Sequence, residues 1–182
     1  MRLSAIRIKR FLYNSMDKKE MKEQKMGFPP VFDENSKVLI LGSFPSVKSR
    51  EISFYYGNKQ NRFWKMLCGY FGQDVPQSNE EKIRFLQDKG VALWDMVTVC
   101  YIDGSADASL RCLETANLEE VFAKCKIKKV LLNGSLAYQL FTEKYANIDI
   151  PYEKMPSTSP ANPRYHEEVW WRELNDVFAT VK

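Results

Sequence analysis

Between Lys37 and Trp64 the chain passes from four consecutive aliphatic residues, Val38-Leu39-Ile40-Leu41, to an abrupt Gly42. A loop of Ser, Pro, Lys and Arg with the paired Tyr55-Tyr56 comes next, and a segment with helical periodicity begins at Asn61. A short unbroken aliphatic run bounded by glycine is the pattern of a strand buried on both faces, which occurs in parallel sheets covered by helices. In such sheets the loops leaving the carboxyl ends of the strands form the ligand crevice. The stretch therefore predicts both a fold class and the place of a pocket.

The rest of the chain supplies the partners for that strand. Phe63, Trp64, Leu67, Tyr70 and Phe71 share one face of a helix that Gly72 stops. A second helix is expected over Asn79–Lys89, then a buried strand Val91–Trp94 ending at Asp95. Asp103–Ala116 reads as a polar loop with a short helical turn, and Leu118–Cys125 as a helix. A strand over Lys128–Leu132 closes at Asn133-Gly134, a helix runs over Ser135–Tyr145, and Pro151–Met155 suits a short strand. In the last helix Asn162 is the expected cap, Pro163 the first turn, and Trp170, Trp171, Leu174, Val177 and Phe178 the inner stripe. Strands alternating with helices predict an α/β sandwich around a mostly parallel sheet. Residues 1–26 read as a flexible or helical extension, and 27–182 as one domain.

Bulk properties narrow the functional classes. With 27 basic and 23 acidic residues the net charge is +4, which permits contact with a polyanion without demanding it. The four cysteines, Cys68, Cys100, Cys112 and Cys125, form no C-x-x-C pair, so neither zinc nor an iron–sulfur cluster is expected and the thiols read as reduced and cytosolic. No apolar run approaches the ~20 residues needed to cross a bilayer. No secretory leader is evident, so the expected location is the cytoplasm.

The loops at the strand ends offer amides, hydroxyls, phenols and backbone N–H groups, with one carboxylate at Asp95. There is no Ser-His-Asp set, no Walker glycine loop and no G-x-G-x-x-G, and the single His166 reads as structural. Groups of this kind recognise a planar polar ligand and orient water.

Five stretches now become specific. Gly42-Ser43-Phe44-Pro45-Ser46, Tyr55-Tyr56-Gly57-Asn58, Asn61-Arg62-Phe63-Trp64, Ala92-Leu93-Trp94-Asp95 and Pro156-Ser157-Thr158-Ser159-Pro160-Ala161-Asn162 together resemble the uracil-DNA glycosylase superfamily, most closely its deoxyinosine (hypoxanthine) branch. The resemblance implies a three-layer sandwich with a central, mostly parallel four-stranded sheet. It also implies hydrolysis of the N-glycosidic bond between a deaminated base and deoxyribose, with the base flipped out of the stack and water attacking the sugar. No metal or organic cofactor is implied. The partner is single- or double-stranded DNA, with no membrane, and the chain is expected to act as a monomer.

The same resemblance assigns residues. Asn61 is the catalytic candidate; a helix cap is its other reading. Ser43 and Phe44 stand where many relatives carry a water-activating Asp or Asn, which disfavours efficient uracil excision, and the Phe44 N–H could bind a base carbonyl. Tyr56 aligns with the aromatic that stacks on the extruded base, and Asn58 is the fallback for Asn61. Asp95 stands where uracil-specific members place a base-reading asparagine and suits the N1–H of hypoxanthine; capping a helix from Met96 is the alternative. Ser157, Thr158, Ser159 and Asn162 resemble the loop that presses on DNA, with Met155 in place of the usual histidine. Lys48 and Arg50, with Lys59 and Arg62, are candidates for phosphates. Asn133 either lines the pocket or serves its Asn-Gly turn, the turn being favoured. The rivals are a glycosylase for uracil or mixed deaminated bases, a non-catalytic lesion-binding module, and an enzyme of free nucleosides.

Overall fold

A computed structural model describes residues 24–101 and 111–179. Its centre is a four-stranded sheet of β2 (Val38–Gly42), β3 (Val91–Asp95), β6 (Lys129–Asn133) and β7 (Tyr152–Met155), in the order β3-β2-β6-β7 with every pairing parallel. The aliphatic run Val38–Leu41 lies between two neighbours and is fully buried. That burial explains why it reads as unbroken apolar sequence and does not alternate.

Six helices are described: α1 (Val47–Glu51), α2 (Phe63–Tyr70), α3 (Asn79–Asp88), α4 (Glu119–Lys124), α5 (Ser135–Tyr145) and α6 (Glu167–Phe178). The expected α/β sandwich with a flanked parallel sheet is what the structure has. Ser78 and Glu81 close a capping box at the start of α3, and the left-handed Gly90 turns the chain into β3. Trp170, Leu174 and Val177 of α6 are buried, and Trp171 Nε1 donates to the Met66 carbonyl at 3.1 Å, joining α6 to α2.

Three expectations need correction. No helix starts at Met96: Val97–Tyr101 is a strand, β4, joined by antiparallel pairing to β1 (Gln24–Met26) and β5 (Arg111–Thr115) in a second, three-stranded sheet. Val97-Thr98-Val99-Cys100-Tyr101 is rich in β-branched and aromatic residues, and this propensity outweighs a short capped turn. Arg111–Thr115 is likewise strand, where a loop with a helical turn was expected; residues 102–110 lie outside the described residues. Asn162 does not cap α6, which begins five residues later with His166 at its N-cap position.

Paired structure begins before Gly27, at Gln24 in β1, and residues 1–23 lie outside the described residues. The segment after β1 is lashed to the core. Val31 and Leu93 exchange backbone hydrogen bonds of 2.9 and 2.8 Å, so Val31 covers the outer edge of β3. Trp94 Nε1 donates to the Phe28 carbonyl and Tyr55 Oη to the Pro29 carbonyl.

Candidate active site

The carboxyl ends of β2, β3 and β6 face one cavity of about 120 Å³, lined by Gly42–Ser46, Ser49, Tyr55, Tyr56, Asn61, Asp95, Asn133 and Ser157–Ser159. That is well under the ~300–1,000 Å³ of sites holding drug-sized ligands, so it suits a single small heterocycle. A larger open cleft of about 720 Å³ lies at the opposite, amino edge of the sheet, lined by Lys37, Lys89, Lys124, Lys126 and Lys128. It gathers none of the groups predicted for chemistry.

Gly42 makes the cavity possible. A Cβ there would fall 2.2 Å from Asp95 Oδ1 and 3.0 Å from Tyr56 Oη, so only glycine lets both side chains close over the end of β2. Beyond it, Gly42 and Ser43 carbonyls accept the Met96 and Val97 N–H groups at 2.9 Å each. These bonds fix the strand-end loop against the β3–β4 corner and leave Ser43 and Phe44 half-buried on the cavity wall.

Asp95 ends β3 and is 4% exposed. No hydrogen bond from another described residue reaches its carboxyl group, and the cavity lining contains no Lys, Arg or His. Burial alone pushes its pKa from the ordinary 3.8 up to about 7.

Tyr56 adopts a left-handed backbone (φ 52°), unusual for a bulky residue. The strain places its ring flat against Phe63, with centroids 4.0 Å apart and planes 21° from parallel. Tyr56 lines the cavity and Phe63 does not. Its hydroxyl accepts a hydrogen bond from Asn133 Nδ2 at 3.0 Å, while burial and the nearby Asp95 hold the phenol firmly protonated.

Asn61 precedes the N-cap residue of α2, Arg62, and stands at the cavity. Its Oδ1 accepts the Phe63 N–H at 3.0 Å in the turn that starts α2, and the residue lines the cavity. Because a backbone N–H can be met only by Oδ1, the amide orientation is fixed. One Oδ1 lone pair and the Nδ2 hydrogens are left for a ligand or water.

Asn133 contributes more than its turn. Its Nδ2 donates to Tyr56 Oη and to Thr158 Oγ1 (2.9 Å), and its Oδ1 accepts the Thr158 N–H at 3.0 Å. One side chain thus ties the stacking ring to the 157–159 wall. Gly134 beside it needs its positive φ of 94° for the turn.

Other expected site residues stand elsewhere. Asn58 does not line the cavity; its Oδ1 accepts the Gln60 N–H at 2.9 Å and shapes the turn before Asn61. Thr158 is fully buried and held by Asn133, so it supports the wall and cannot face a phosphate. Ser157 and Ser159 do line the cavity. Asn162 caps its own turn, accepting the Arg164 N–H and donating to the Ser157 carbonyl. Arg62 is also committed to that loop, donating to the Ser159 and Asn162 carbonyls with its guanidinium 4.9 Å from the Tyr165 ring centroid. Arg50 lies over Phe44 and donates to the Pro45 carbonyl at 2.6 Å; exposed Lys48 pairs with Glu51. Among the described residues no group of His, Cys, Asp or Glu is placed to hold a metal ion.

Each of the five sequence stretches places residues on this one cavity at the strand ends of a parallel sheet. The model of the uracil DNA glycosylase superfamily matches residues 29–178, nearly the whole described chain. The chain belongs to that superfamily. Among its relatives are two proteins named hypoxanthine DNA glycosylase. The one from Methanosarcina acetivorans is 32% identical over 78% of this chain and 90% of its own length; the one from Methanosarcina barkeri is 34% identical over 61% and 72%. A solution structure described as a candidate uracil DNA glycosylase from Methanosarcina acetivorans superposes with a TM-score of 0.73 at 29% identity, covering 84% of this chain and 96% of its own. As a DNA glycosylase of this superfamily, the chain is a hydrolase of N-glycosyl bonds in DNA repair. No described helix is long and apolar enough to cross a membrane.

Proposed function

We propose that this glycosylase removes hypoxanthine from deaminated adenine sites in DNA. The observation that carries the reading is the buried, unpartnered carboxyl group of Asp95 in a small cavity whose other polar groups are neutral. The Watson–Crick edge of hypoxanthine presents an N1–H donor that such a group can accept. The names of the two relatives support the same substrate.

The base leaves the stack and enters the cavity, where Tyr56, backed by Phe63, covers one face. Phe44 offers a backbone N–H to a base oxygen. As the bond from C1′ to N9 stretches, the sugar gains positive and the base negative charge, so donors aimed at the base lower the barrier. Asn61, oriented by the Phe63 N–H, holds a water with its remaining polar sites. Water delivers its oxygen to C1′ and the base leaves with a proton on nitrogen. Lys48 and Arg50, on the helix beside the mouth, and Ser157 and Ser159, on the wall, are assigned to the DNA backbone. The protein acts as a monomer in a reducing, cytoplasmic compartment, where the buried thiols of Cys68 and Cys125 stay free.

The test uses duplexes with a single deoxyinosine, deoxyuridine or deoxyxanthosine, followed by alkaline cleavage of abasic sites. Scission at inosine above the others is expected. Preferential scission at uridine would move the substrate to uracil, and tight binding without scission would make the chain an inert lesion reader.

A further inference from the structure

A carboxylate sealed away from water without a cation or N–H donors is costly, and such a group ordinarily takes up a proton. Asp95 comes close to these conditions: it is 4% exposed, its only opening is the cavity, and no hydrogen bond from another described residue reaches its carboxyl group. Gly42 of β2 approaches it without a side chain; the 53–60 loop presents the phenols of Tyr55 and Tyr56, both protonated; the 157–159 wall presents Ser157, Thr158 and Ser159, with the Asn61 and Asn133 amides completing the polar lining. The guanidinium on α1, Arg50, is engaged with the Pro45 carbonyl and does not line the cavity.

We propose that Asp95 reads the flipped base as a neutral carboxylic acid, donating its O–H to O6 while its carbonyl oxygen accepts N1–H, so that one side chain grips the whole lactam edge. This rests on the assignment of hypoxanthine as substrate. An ionised carboxylate can only accept, so it would meet N1–H and face the O6 lone pairs with its own. The protonated form removes that repulsion. It also places a donor where negative charge collects as the base departs, the use to which buried, protonated carboxyls are suited. The pKa of about 7 puts the exchange between the two forms in the physiological range, so lesion recognition is predicted to weaken on the alkaline side. With its oxygens exchanged, a neutral carboxyl can also pair with the amidine edge of adenine. Selection against the undamaged base therefore falls on the greater cost of unpairing it.

The experiment measures binding to a duplex carrying a non-hydrolysable 2′-fluoro deoxyinosine, divided by binding to the same duplex with 2′-fluoro deoxyadenosine paired to thymine, from about pH 6 to about pH 8. The ratio cancels the pH dependence of general DNA contact. For a base bound only by the protonated form, the preference should fall roughly tenfold across that range. In Asp95→Asn, whose amide carries the same donor and acceptor without titrating, the slope should vanish, whatever the level of binding. A preference that rises with pH or stays flat in the unmodified protein overturns the neutral-acid reading and leaves the substrate assignment standing. So does a wild-type slope that persists in the variant. No inosine preference at any pH overturns both. The unmodified protein alone decides the sign, so the test survives a variant that fails to fold.

Discussion

Replacing Asp95 by asparagine preserves the shape of the side chain and removes its capacity to ionise, which isolates the cost of the buried charge. The rise from 3.8 to about 7 means that the folded protein binds this proton more tightly than the unfolded chain does. At about 1.4 kcal/mol per tenfold in proton affinity, that difference amounts to about 4 kcal/mol, and because the group is 4% exposed little of it is screened by solvent. The sign follows from proton counting. Below about pH 4 both states hold the proton and the charge costs nothing. Between about pH 4 and about pH 7 the unfolded state releases it first, so stability falls as pH rises. Above about pH 7 the full penalty persists. The Asp95→Asn variant should therefore gain roughly 2–4 kcal/mol over the unmodified protein at about pH 8, or about 4–16 °C in Tm for a chain of this length, and the gap should close toward about pH 4. Urea unfolding of both proteins, followed by tryptophan fluorescence across this pH series without DNA, measures it. The shape of the gap matters more than its height, since any packing cost of the amide is the same at every pH. A gap that is absent at about pH 8, or that widens toward acid, would refute the picture of a desolvated, unpartnered carboxyl.

The remaining site residues give separate expectations. Tyr56→Ala should weaken binding of inosine duplex by the ~1–3 kcal/mol of one stacked base, roughly 5- to 150-fold in Kd by anisotropy; unchanged binding would put the stacking surface elsewhere. Asn61→Ala should slow single-turnover base release about 100-fold or more while lowering stability only by the ~0.5–1.5 kcal/mol of its one hydrogen bond to the Phe63 N–H, and an unchanged rate would reduce Asn61 to its turn. Asn133→Leu leaves Tyr56 Oη and the Thr158 N–H without their partner and should cost about 2–4 kcal/mol in urea unfolding; a loss below ~0.5 kcal/mol would mean that water replaces the amide. Lys48→Ala should reduce the slope of log Kd against log salt by about one for duplex DNA, and an unaltered slope would clear Lys48 of phosphate contact.

The parallel sheet was legible because its strands are buried on both faces and therefore written as aliphatic runs ending in Gly42, Asp95 and Asn133-Gly134. The second sheet was not. Its strand Gln24–Met26 is three exposed or half-exposed residues whose pairing depends on β4, nearly eighty residues away, and nothing local marks it. Val97–Tyr101 carried a strand signal in its composition, but it follows β3 directly and its antiparallel partners, Gln24–Met26 and Arg111–Thr115, are not marked locally. In the site, residues whose chemistry is intrinsic, such as the lone carboxyl of Asp95 and the tyrosine pair, were legible. Roles created by contact were not: Asn133 as the tie between Tyr56 and Thr158, Thr158 as buried support, and Arg62 as a clamp on the 157–162 loop all depend on partners some 25 to 100 residues distant. The left-handed backbone of Tyr56 likewise has no sequence signature, since its neighbour Gly57 is the residue that would ordinarily be given such a conformation.

The central claim is that one small cavity at the strand ends receives a flipped purine. The most direct measurement is a crystal structure with a duplex containing 2′-fluoro deoxyinosine, which binds without turning over. The account predicts the hypoxanthine ring outside the helix, lying on Tyr56, with N1 and O6 within hydrogen-bond reach of the Asp95 carboxyl and Asn61 beside C1′. A base still stacked in the duplex, or one lodged away from Tyr56 and Asp95, would contradict it.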